Sequence, residues 1–320
     1  MESTTSHTGA FFKSSLAFAT LLPLLSVLYV VHYYFVRRLS CKPFLPKGSL
    51  VSSNFSSIDA LLNSPGTLDI SIIIPAFNEE RRLPGMLDKT IPFFHAKYGS
   101  NFEIIVVSDG SSDGTVSYLQ KTSEKHPEVH YIHLAQNKGK GFAVKVGIHF
   151  SRGKRILFAD ADGATSLDCF DRLNNSLSCH LSQSKESDMV AAFGSRAHLA
   201  DSEEVKRKLF RVFLMKCFHF VVWSVIGNRV KDTQCGFKLF TRSAARQIFP
   251  QLHINRWAFD VEMLYIAKKL NIPVDEVYVD WREVEGSKLN IASDSVQMLR
   301  DLMFIRLCYL GGLWNVSPIV

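Results

Sequence analysis

A chain of 320 residues is long enough for one large α/β domain with additional segments. Its 37 Lys and Arg residues outweigh its 30 Asp and Glu residues, giving a formal net charge of +7. This balance suits phosphorylated ligands or an anionic membrane surface, and the lack of a basic and aromatic recognition module argues against a nucleic-acid-binding protein. The six cysteines have neither metal nor disulfide spacing, which is typical of a reducing compartment.

The first predicted element is an apolar segment at residues 16–36. It is long enough to cross a hydrocarbon core of ~30 Å, and no small-residue cleavage site follows it, so residues 1–40 are predicted to be a short tail and an uncleaved transmembrane anchor. Lys13 precedes the segment, and four basic residues follow it: Arg37, Arg38, Lys42 and Lys47. Because positive charge stays on the cytoplasmic side, we expect the rest of the chain to face the cytosol. Glycosylation sequons, expected to stay unmodified in that orientation, begin at Asn54, Asn174 and Asn315.

Residues 41–67 are rich in Ser, Pro and Gly, which indicates a linker. Short apolar runs then alternate with helical patterns. Strands are predicted at 70–74, 103–107, 130–134 and 156–159, and helices at 79–94, 114–125 and 141–150. Such alternation predicts an α/β domain at 68–290, with a mostly parallel sheet and helices on both faces.

Two further segments combine apolar and basic residues. The charges in residues 205–226 are too dense for a comfortable membrane span. This segment is predicted either to lie in the membrane interface or to pack on the domain as an ordinary helix with a charged face. Residues 291–320 repeat the pattern, with Arg300 and Arg306 among apolar side chains, and are predicted to form an amphipathic membrane-associated segment.

Polar residues follow the first two predicted strands. Pro75 cannot donate a ladder hydrogen bond, so strand pairing is predicted to stop there, and Asn78 is predicted to cap the next helix. The second strand runs into a cluster of Asp, Gly and Ser that is richer than a turn requires. Ligands of open α/β sheets bind beyond the carboxyl ends of the strands. The candidate ligand-binding residues here are Pro75, Ala76, Asn78, Glu79, Asp109, Gly110 and Ser111.

The next two strand ends add cations and carboxylates. The loop Asn137-Lys-Gly-Lys-Gly141 offers backbone N–H groups and lysines to a diphosphate, which makes Lys138 and Gly139 candidates. The fourth strand ends in Asp160-Ala-Asp162, whose two carboxylates point to the same side of a strand tip. They suit a hard divalent cation such as Mg²⁺ or Mn²⁺. Each motif alone is as typical of a solvated turn, but together they match the needs of a metal-bound nucleotide diphosphate.

In combination these residues resemble the inverting GT-A glycosyltransferases of family 2. The matching segments are Ile73-Ile-Pro-Ala-Phe-Asn-Glu79, Val106-Val-Ser-Asp-Gly-Ser-Ser-Asp-Gly-Thr115, Asn137-Lys-Gly-Lys-Gly141 and Asp160-Ala-Asp162. The resemblance implies a Rossmann-like GT-A fold and a nucleotide sugar held near Glu79, Asp109 and Lys138. It also implies that Asp160 and Asp162 bind the metal–diphosphate. The glycine signatures of dinucleotide folds and P-loops are absent from these strand ends, which argues against dehydrogenases and NTPases.

Three more segments resemble the polyprenyl-phosphate sugar transferases of that family. They are Phe193-Gly-Ser-Arg196, Asp232-Thr-Gln-Cys-Gly-Phe-Lys238 and Glu285-Gly-Ser-Lys288. The resemblance implies transfer to dolichyl phosphate at the endoplasmic reticulum membrane, and Gly163-Ala-Thr165 favours UDP-glucose as the donor. The implied product is dolichyl β-D-glucosyl phosphate, a lipid-linked donor for protein N-glycosylation. Two alternatives stay open: mannosyl transfer from GDP-mannose, and a non-catalytic membrane-tethered binding subunit.

The acceptor phosphate requires cations. Arg196 is the first candidate because its guanidinium fork matches phosphate oxygens. The weaker candidates for the acceptor phosphate are Lys208, Arg211 and Lys288. Asp232 is predicted either to orient such a cation or to act as a base, although an Asp near a turn needs no function. A phosphate monoester with a second pKa of ~6 is already ionised at neutral pH, so no strong base is required. The candidate catalytic residues are Asp160, Asp162 and Asp232.

Overall fold

The computed structural model describes residues 50–55, 62, 64–183, 187–199, 230–284 and 291–319. The predicted anchor, most of the linker, the basic segment at 205–226 and the candidates Lys208, Arg211 and Lys288 lie outside these residues. Within the described ranges, no helix has the length and apolar character needed to cross a membrane.

Eight strands in the described part of the chain form one sheet in the order β1-β4-β3-β2-β5-β7-β6-β8. Their bounds are β1 Leu50–Ser53, β2 Leu68–Ala76, β3 Phe102–Ser108, β4 Val129–Leu134, β5 Gly153–Ala159, β6 Ala191–Ser195, β7 Phe237–Thr241 and β8 Val274–Tyr278. Strands β4, β3, β2 and β5 run parallel to one another, as does β6 to β8. Strand β7 lies antiparallel between β5 and β6, and β1 pairs antiparallel with β4. The predicted mostly parallel sheet is confirmed.

Helices connect most of these strands. The α-helices of the described residues are α1 Leu83–Tyr98, α2 Thr115–Lys125, α3 Lys140–His149, α4 Cys169–Gln183, α5 Arg242–Ile248, α6 Phe259–Lys269 and, after the last strand, α7 Ile291–Leu310. The βα alternation predicted up to β5 is confirmed, with bounds that shift by a few residues. Helix α1 shows the largest of these shifts, since it begins at Leu83 rather than at residue 79.

The sheet is covered on both faces, as the uninterrupted apolar strands predict. On one face Ile70, Ile72 and Ile74 of β2 belong to a buried cluster that includes side chains of α1 and α4. On the other face α3 rests on β2 and β3. A Cβ added at Gly147 of α3 would lie 2.4 Å from Cγ2 of Ile73, so glycine permits this close approach.

Pro75 does not end β2, and the prediction that pairing stops at this residue is wrong. Pairing with β3 continues to Ala76, whereas pairing with β5 ends at Ile73. The carbonyl of Ala76 points towards β3, where it accepts a hydrogen bond from the Asp109 N–H at 2.8 Å. Because successive residues point to opposite sides, Pro75 faces the β5 side, where its missing N–H has no ladder partner to lose.

The chain divides into two compact units, Met1–Pro43 with Leu307–Asn315, and Phe44–Arg306 with Val316–Val320. The larger unit carries the sheet. In the smaller unit, the described residues form the end of α7 and a tight turn. The N–H groups of Leu313 and Trp314 donate to the Cys308 carbonyl at 2.9 and 3.1 Å, and the Tyr309 and Trp314 rings pack edge to face.

Candidate active site

The carboxyl ends of β2, β3, β4 and β5 lie side by side, so the residues that follow them meet at one edge of the sheet. Asp109 organises the first part of this edge. Its carboxylate oxygens accept hydrogen bonds from the backbone N–H groups of Lys138 and Gly139, both at 2.8 Å. Burial raises the pKa of Asp109, and the two N–H groups oppose that shift. The loop after β4 is therefore fastened to the end of β3.

These bonds change what the loop offers to a ligand. The N–H groups of Lys138 and Gly139, which we expected to face a diphosphate, are donated to Asp109. Gly139 has a φ of +105°, and an added Cβ would lie 2.5 Å from the Asn255 carbonyl oxygen. Gly110 has a φ of +71°, and an added Cβ there would lie 2.5 Å from the Asn137 backbone nitrogen. Both positions require glycine because a side chain would be strained and would clash.

Asn78 braces the loop after β3. It has a left-handed φ of 54°, its side-chain oxygen accepts from the Ser112 N–H at 2.8 Å, and its own N–H donates to Ser111 Oγ at 3.0 Å. Helix α1 begins after Arg82, which supplies no side-chain cap. The prediction that Asn78 caps the helix is wrong, because its amide is engaged across the site instead.

Glu79 holds an arginine near the acidic motif. Its carboxylate accepts from Arg82 Nε at 2.6 Å, and both side chains are largely buried. The Glu79 hydrogen bond raises the pKa of Arg82 despite burial, and the charges of Asp162 and Asp160 raise it further. Arg82 is therefore a fixed cation close to Asp160 and Asp162.

Asp160 follows the last residue of β5 and is held from two sides. Its N–H donates to the Gly236 carbonyl at 3.0 Å, and its Oδ1 lies 2.6 Å from Lys140 Nζ. A Cβ added at Gly236 would lie 2.0 Å from Asp160 Oδ2, so the carboxylate sits against bare backbone. Burial lowers the pKa of Lys140, but the Asp160 and Asp260 charges outweigh it and leave that pKa raised.

Asp162 lies in the turn that follows. Its Oδ1 accepts from the Ala164 N–H at 3.0 Å. Burial, then the neighbouring Asp160 charge, raises the pKa of Asp162, while the Ala164 N–H, Arg82 and Lys140 oppose the shift. The two carboxylates are thus close enough to repel one another, as the spacing of the motif predicts.

The acidic pair fits part of a metal coordination shell. Asp160 Oδ1 is buried and lacks a correctly directed hydrogen-bond donor, although Lys140 lies within ion-pair distance. The short Lys140 distance and the missing hydrogen bond are compatible, because an ion pair, unlike a hydrogen bond, does not require the donor to point at the acceptor. The described residues contain no group of three or more His, Cys, Asp or Glu side chains that could hold a metal. Mg²⁺ in proteins commonly uses one or two carboxylates and takes its remaining ligands from substrate phosphates and water.

A buried ion pair lies beneath Lys140. Lys238 of β7 contacts Asp260 of α6 and donates to the Thr233 carbonyl at 3.1 Å, and both charged side chains are almost fully buried. Burial raises the pKa of Asp260, and Lys238 and Lys140 oppose the shift. This pair connects β7 and α6 directly behind the acidic motif.

Arg196 follows β6 and pairs with Asp232. Its Nε donates to Asp232 Oδ2 at 2.7 Å and its Nη2 to Oδ1 at 3.0 Å, and its backbone N–H donates to Oδ2 at 2.9 Å. Burial alone would raise the pKa of Asp232 and lower that of Arg196. Their mutual ion pair outweighs burial, so the pKa of Asp232 is lowered and that of Arg196 is raised, and the Asp160 charge adds to the rise at Arg196. The predicted cation and its predicted partner are brought together.

The surroundings of this pair were not predicted. Glu276 of β8 accepts from the N–H groups of Lys231 and Asp232 at 3.0 and 3.1 Å, which fixes the Asp232 segment. The Arg196 guanidinium lies 5.4 Å from the centre of the Trp281 ring. Trp281 also forms an isolated antiparallel bridge with Thr165, three residues after Asp162. The acidic motif and the arginine pair are thus linked through one short backbone connection.

Sequence reasoning missed Arg82, Lys140, Trp281 and Glu276 as site residues. Two of them had a local signal. Arg82 follows Glu79 at helical spacing, and Lys140 belongs to the Lys-Gly loop already identified, immediately before the helix predicted at 141–150. Trp281 lies over 80 residues from Arg196 in the chain, and Glu276 lies on β8, a strand that was not predicted. Only the order of the strands in the sheet brings these two residues to the site.

The site combines two carboxylates at a strand tip, Asp160 and Asp162, with the largely buried guanidinium of Arg196. Together with the mostly parallel sheet, this is the architecture of a GT-A glycosyltransferase. The glycosyl transferase family 2 model matches residues 71–249. A dolichyl-phosphate beta-glucosyltransferase of Drosophila melanogaster is 44% identical over 96% of this chain and 94% of that protein. The one of Homo sapiens is 44% identical over 82% of each chain. The chain therefore belongs to glycosyl transferase family 2, and within it to the group of dolichyl-phosphate beta-glucosyltransferases.

A solved structure shares the fold. Glucosyl-3-phosphoglycerate synthase from Mycobacterium tuberculosis, in complex with uridine diphosphate, has a TM-score of 0.53 at 15% identity and covers 76% of this chain and 80% of that chain. At this identity the similarity concerns the GT-A fold alone.

Proposed function

We propose that this glycosyltransferase transfers glucose from UDP-glucose to dolichyl phosphate with inversion, forming dolichyl β-D-glucosyl phosphate. The observation that carries the proposal is that the Arg196–Asp232 ion pair lies beside the acidic motif. The Arg196 guanidinium is 5.4 Å from the centre of the Trp281 ring, and Trp281 bridges Thr165, three residues after Asp162. One site thereby contains carboxylates for a metal–diphosphate and a cation for a second phosphate. The Drosophila melanogaster and Homo sapiens relatives are named for glucosyl transfer to dolichyl phosphate, which supports this acceptor and this sugar.

The donor is assigned to the edge formed by β2 to β5. Pro75, Ala76, Glu79, Gly110 and Ser111 line the ends of β2 and β3, and Asp109 secures the loop that carries Lys138. Asp160 and Asp162 would hold Mg²⁺ or Mn²⁺, which would neutralise the developing charge on the diphosphate leaving group. Arg82 adds a fixed positive charge close to these carboxylates.

The acceptor is assigned to Arg196. A lipid phosphate with a second pKa of ~6 is largely dianionic at neutral pH and attacks without losing a proton to the protein. Asp232 has a lowered pKa and is bound to Arg196 through both oxygens, which suits an orienting role better than that of a base. The protein mainly positions two anionic groups in line and stabilises the departing one.

Membrane attachment and location form part of the proposal. The dolichyl chain stays in the bilayer, so the enzyme must work at its surface. In α7 the apolar residues Val296 and Met303 are 70% and 54% exposed, and Arg300 lies between them in sequence, which supports an interfacial role for this helix. We propose a single-pass protein of the endoplasmic reticulum, with the anchor at 16–36 and the catalytic domain in the cytosol.

The assignment is tested by a donor assay. Membranes that contain the full-length chain are incubated with dolichyl phosphate and either labelled UDP-glucose or labelled GDP-mannose. We expect labelled lipid from UDP-glucose alone, and none from membranes containing Asp162→Ala at equal expression. Labelled lipid formed only from GDP-mannose would show that the enzyme transfers mannose, and would overturn the glucosyl assignment. Full turnover by Asp162→Ala would remove the metal role from the acidic motif.

A further inference from the structure

Lys140 occupies an electrostatically unusual position. It is the first residue of α3, where the helix dipole disfavours a positive charge. Its Nζ nevertheless lies 2.6 Å from Asp160 Oδ1, with only 18% of the side chain exposed. The ammonium also faces the Phe158 and Trp257 rings at 5.3 and 5.7 Å from their centres. The charged form of Lys140 is therefore stabilised mainly by its ion pair with Asp160.

We propose that Lys140 is an internal counter-ion that competes with the divalent metal for Asp160. Metal and nucleotide consequently bind together rather than independently. The proposal rests on the proposed function, because it takes Asp160 and Asp162 as the holders of a metal–diphosphate.

The reason is the charge balance around one carboxylate. A divalent ion that approaches Asp160 would meet the Lys140 ammonium at the same carboxylate, so it would have to bind against repulsion or displace the lysine. Displacement alone leaves a poorly solvated ammonium, since the Phe158 and Trp257 rings and the buried Lys238–Asp260 pair surround it. A diphosphate that arrives with the metal removes this penalty by offering the flexible lysine a new anionic partner.

Linkage makes the effect measurable without turnover. If the nucleotide relieves the competition at Asp160, it strengthens metal binding, and the metal must strengthen nucleotide binding by the same factor. Replacing Lys140 by a neutral residue removes the competitor. The metal should then bind better alone, and the factor by which nucleotide helps it should shrink.

The experiment measures Mn²⁺ binding to the purified full-length chain in detergent, from the EPR signal of free Mn²⁺, with and without UDP. We expect Lys140→Met to bind Mn²⁺ alone about tenfold more tightly than wild type, and UDP to strengthen that binding by a smaller factor. Lys140→Arg keeps the charge and should resemble wild type. Lys121→Met removes an exposed lysine from α2 and should also resemble wild type.

The outcomes separate this role from the proposed function. Unchanged or weaker Mn²⁺ binding by Lys140→Met, with a normal circular dichroism spectrum, would overturn the counter-ion role while the donor assay still stands. Lys140→Gln provides a second neutral variant if Lys140→Met does not fold. A wild-type chain that binds no Mn²⁺ even with UDP would instead overturn the metal site, and the counter-ion role with it.

Discussion

At the scale of single residues, Asp232 has two candidate roles that predict different kinetics. Asp232→Asn keeps the shape of the side chain but removes the charge that holds Arg196. We expect the KM for dolichyl phosphate to rise about tenfold, since a hydrogen bond between charged groups is worth about 1.5–3 kcal/mol. The KM for UDP-glucose should change little. Steady-state kinetics with each substrate varied in turn provides the measurement.

A base would behave differently. If Asp232 removed a proton in the reaction, Asp232→Asn would lower kcat with little change in KM, and the acidic limb of the pH profile would disappear. Asp171→Asn is the matched control, because Asp171 of α4 forms a solvent-accessible ion pair with Lys97 of α1 rather than with Arg196. That variant should keep both kinetic constants.

Residue positions were easier to predict from sequence than residue partners. Asp109, Asp160 and Asp162 were predicted at strand ends because charge appears where an apolar run stops, and this signal is local. Arg196 became a candidate through the family resemblance, since the strand before it was not predicted. Their partners come from other strands. Asp109 accepts hydrogen bonds from two N–H groups of the loop after β4, and Asp160 forms an ion pair with Lys140. Both contacts depend on how neighbouring elements are aligned, which local sequence patterns do not reveal.

At the scale of secondary-structure elements, the close approach of β7 to the tip of β5 is decisive for the site. Gly236 immediately precedes β7, and its missing side chain leaves room for the Asp160 carboxylate at 2.0 Å from an ideal Cβ position. We expect Gly236→Ala to displace this carboxylate and to reduce turnover about 100-fold, since misplacement by ~1 Å costs that much. The labelled-lipid assay measures the effect.

A second glycine supplies the control for this prediction. A Cβ added at Gly85 of α1 meets nothing within 4 Å. Gly85→Ala should leave turnover unchanged and stabilise the helix by about 0.5–1 kcal/mol. Full activity of Gly236→Ala, at normal thermal stability, would show that the position of Asp160 against β7 is not required.

The same element marks where prediction of the fold stopped. The strands up to β5 follow one another through helices, so alternation in the sequence predicts their parallel order. Strand β7 is inserted antiparallel between β5 and β6, and the chain reaches it after the stretch at 200–229. Its apolar run, Phe237–Thr241, is too short to distinguish from a turn of buried helix by periodicity alone.

At the scale of the whole molecule, the proposed cytosolic orientation predicts which sequons carry glycan. Asn54 is a poor reporter, since its side chain donates to the Val129 carbonyl at 3.1 Å and accepts from the Tyr131 N–H at 2.8 Å. Asn315 is exposed and begins the sequence Asn-Val-Ser. In the proposed orientation Asn315 never meets the lumenal glycosylation machinery, so endoglycosidase treatment of the wild-type chain should leave its gel mobility unchanged.

The opposite end of the chain gives the positive control. Ser3→Asn creates the acceptor sequence Asn-Thr-Thr in the tail that precedes residues 16–36. In the proposed orientation, which follows from the excess of positive charge after that segment, this tail faces the lumen. This variant should gain one glycan that endoglycosidase removes. A glycan on Asn315 would reverse the proposed orientation and place the Asp160 edge in the lumen. Because the donor is proposed to be a cytosolic nucleotide sugar, that result would also require a different route for UDP-glucose to the site.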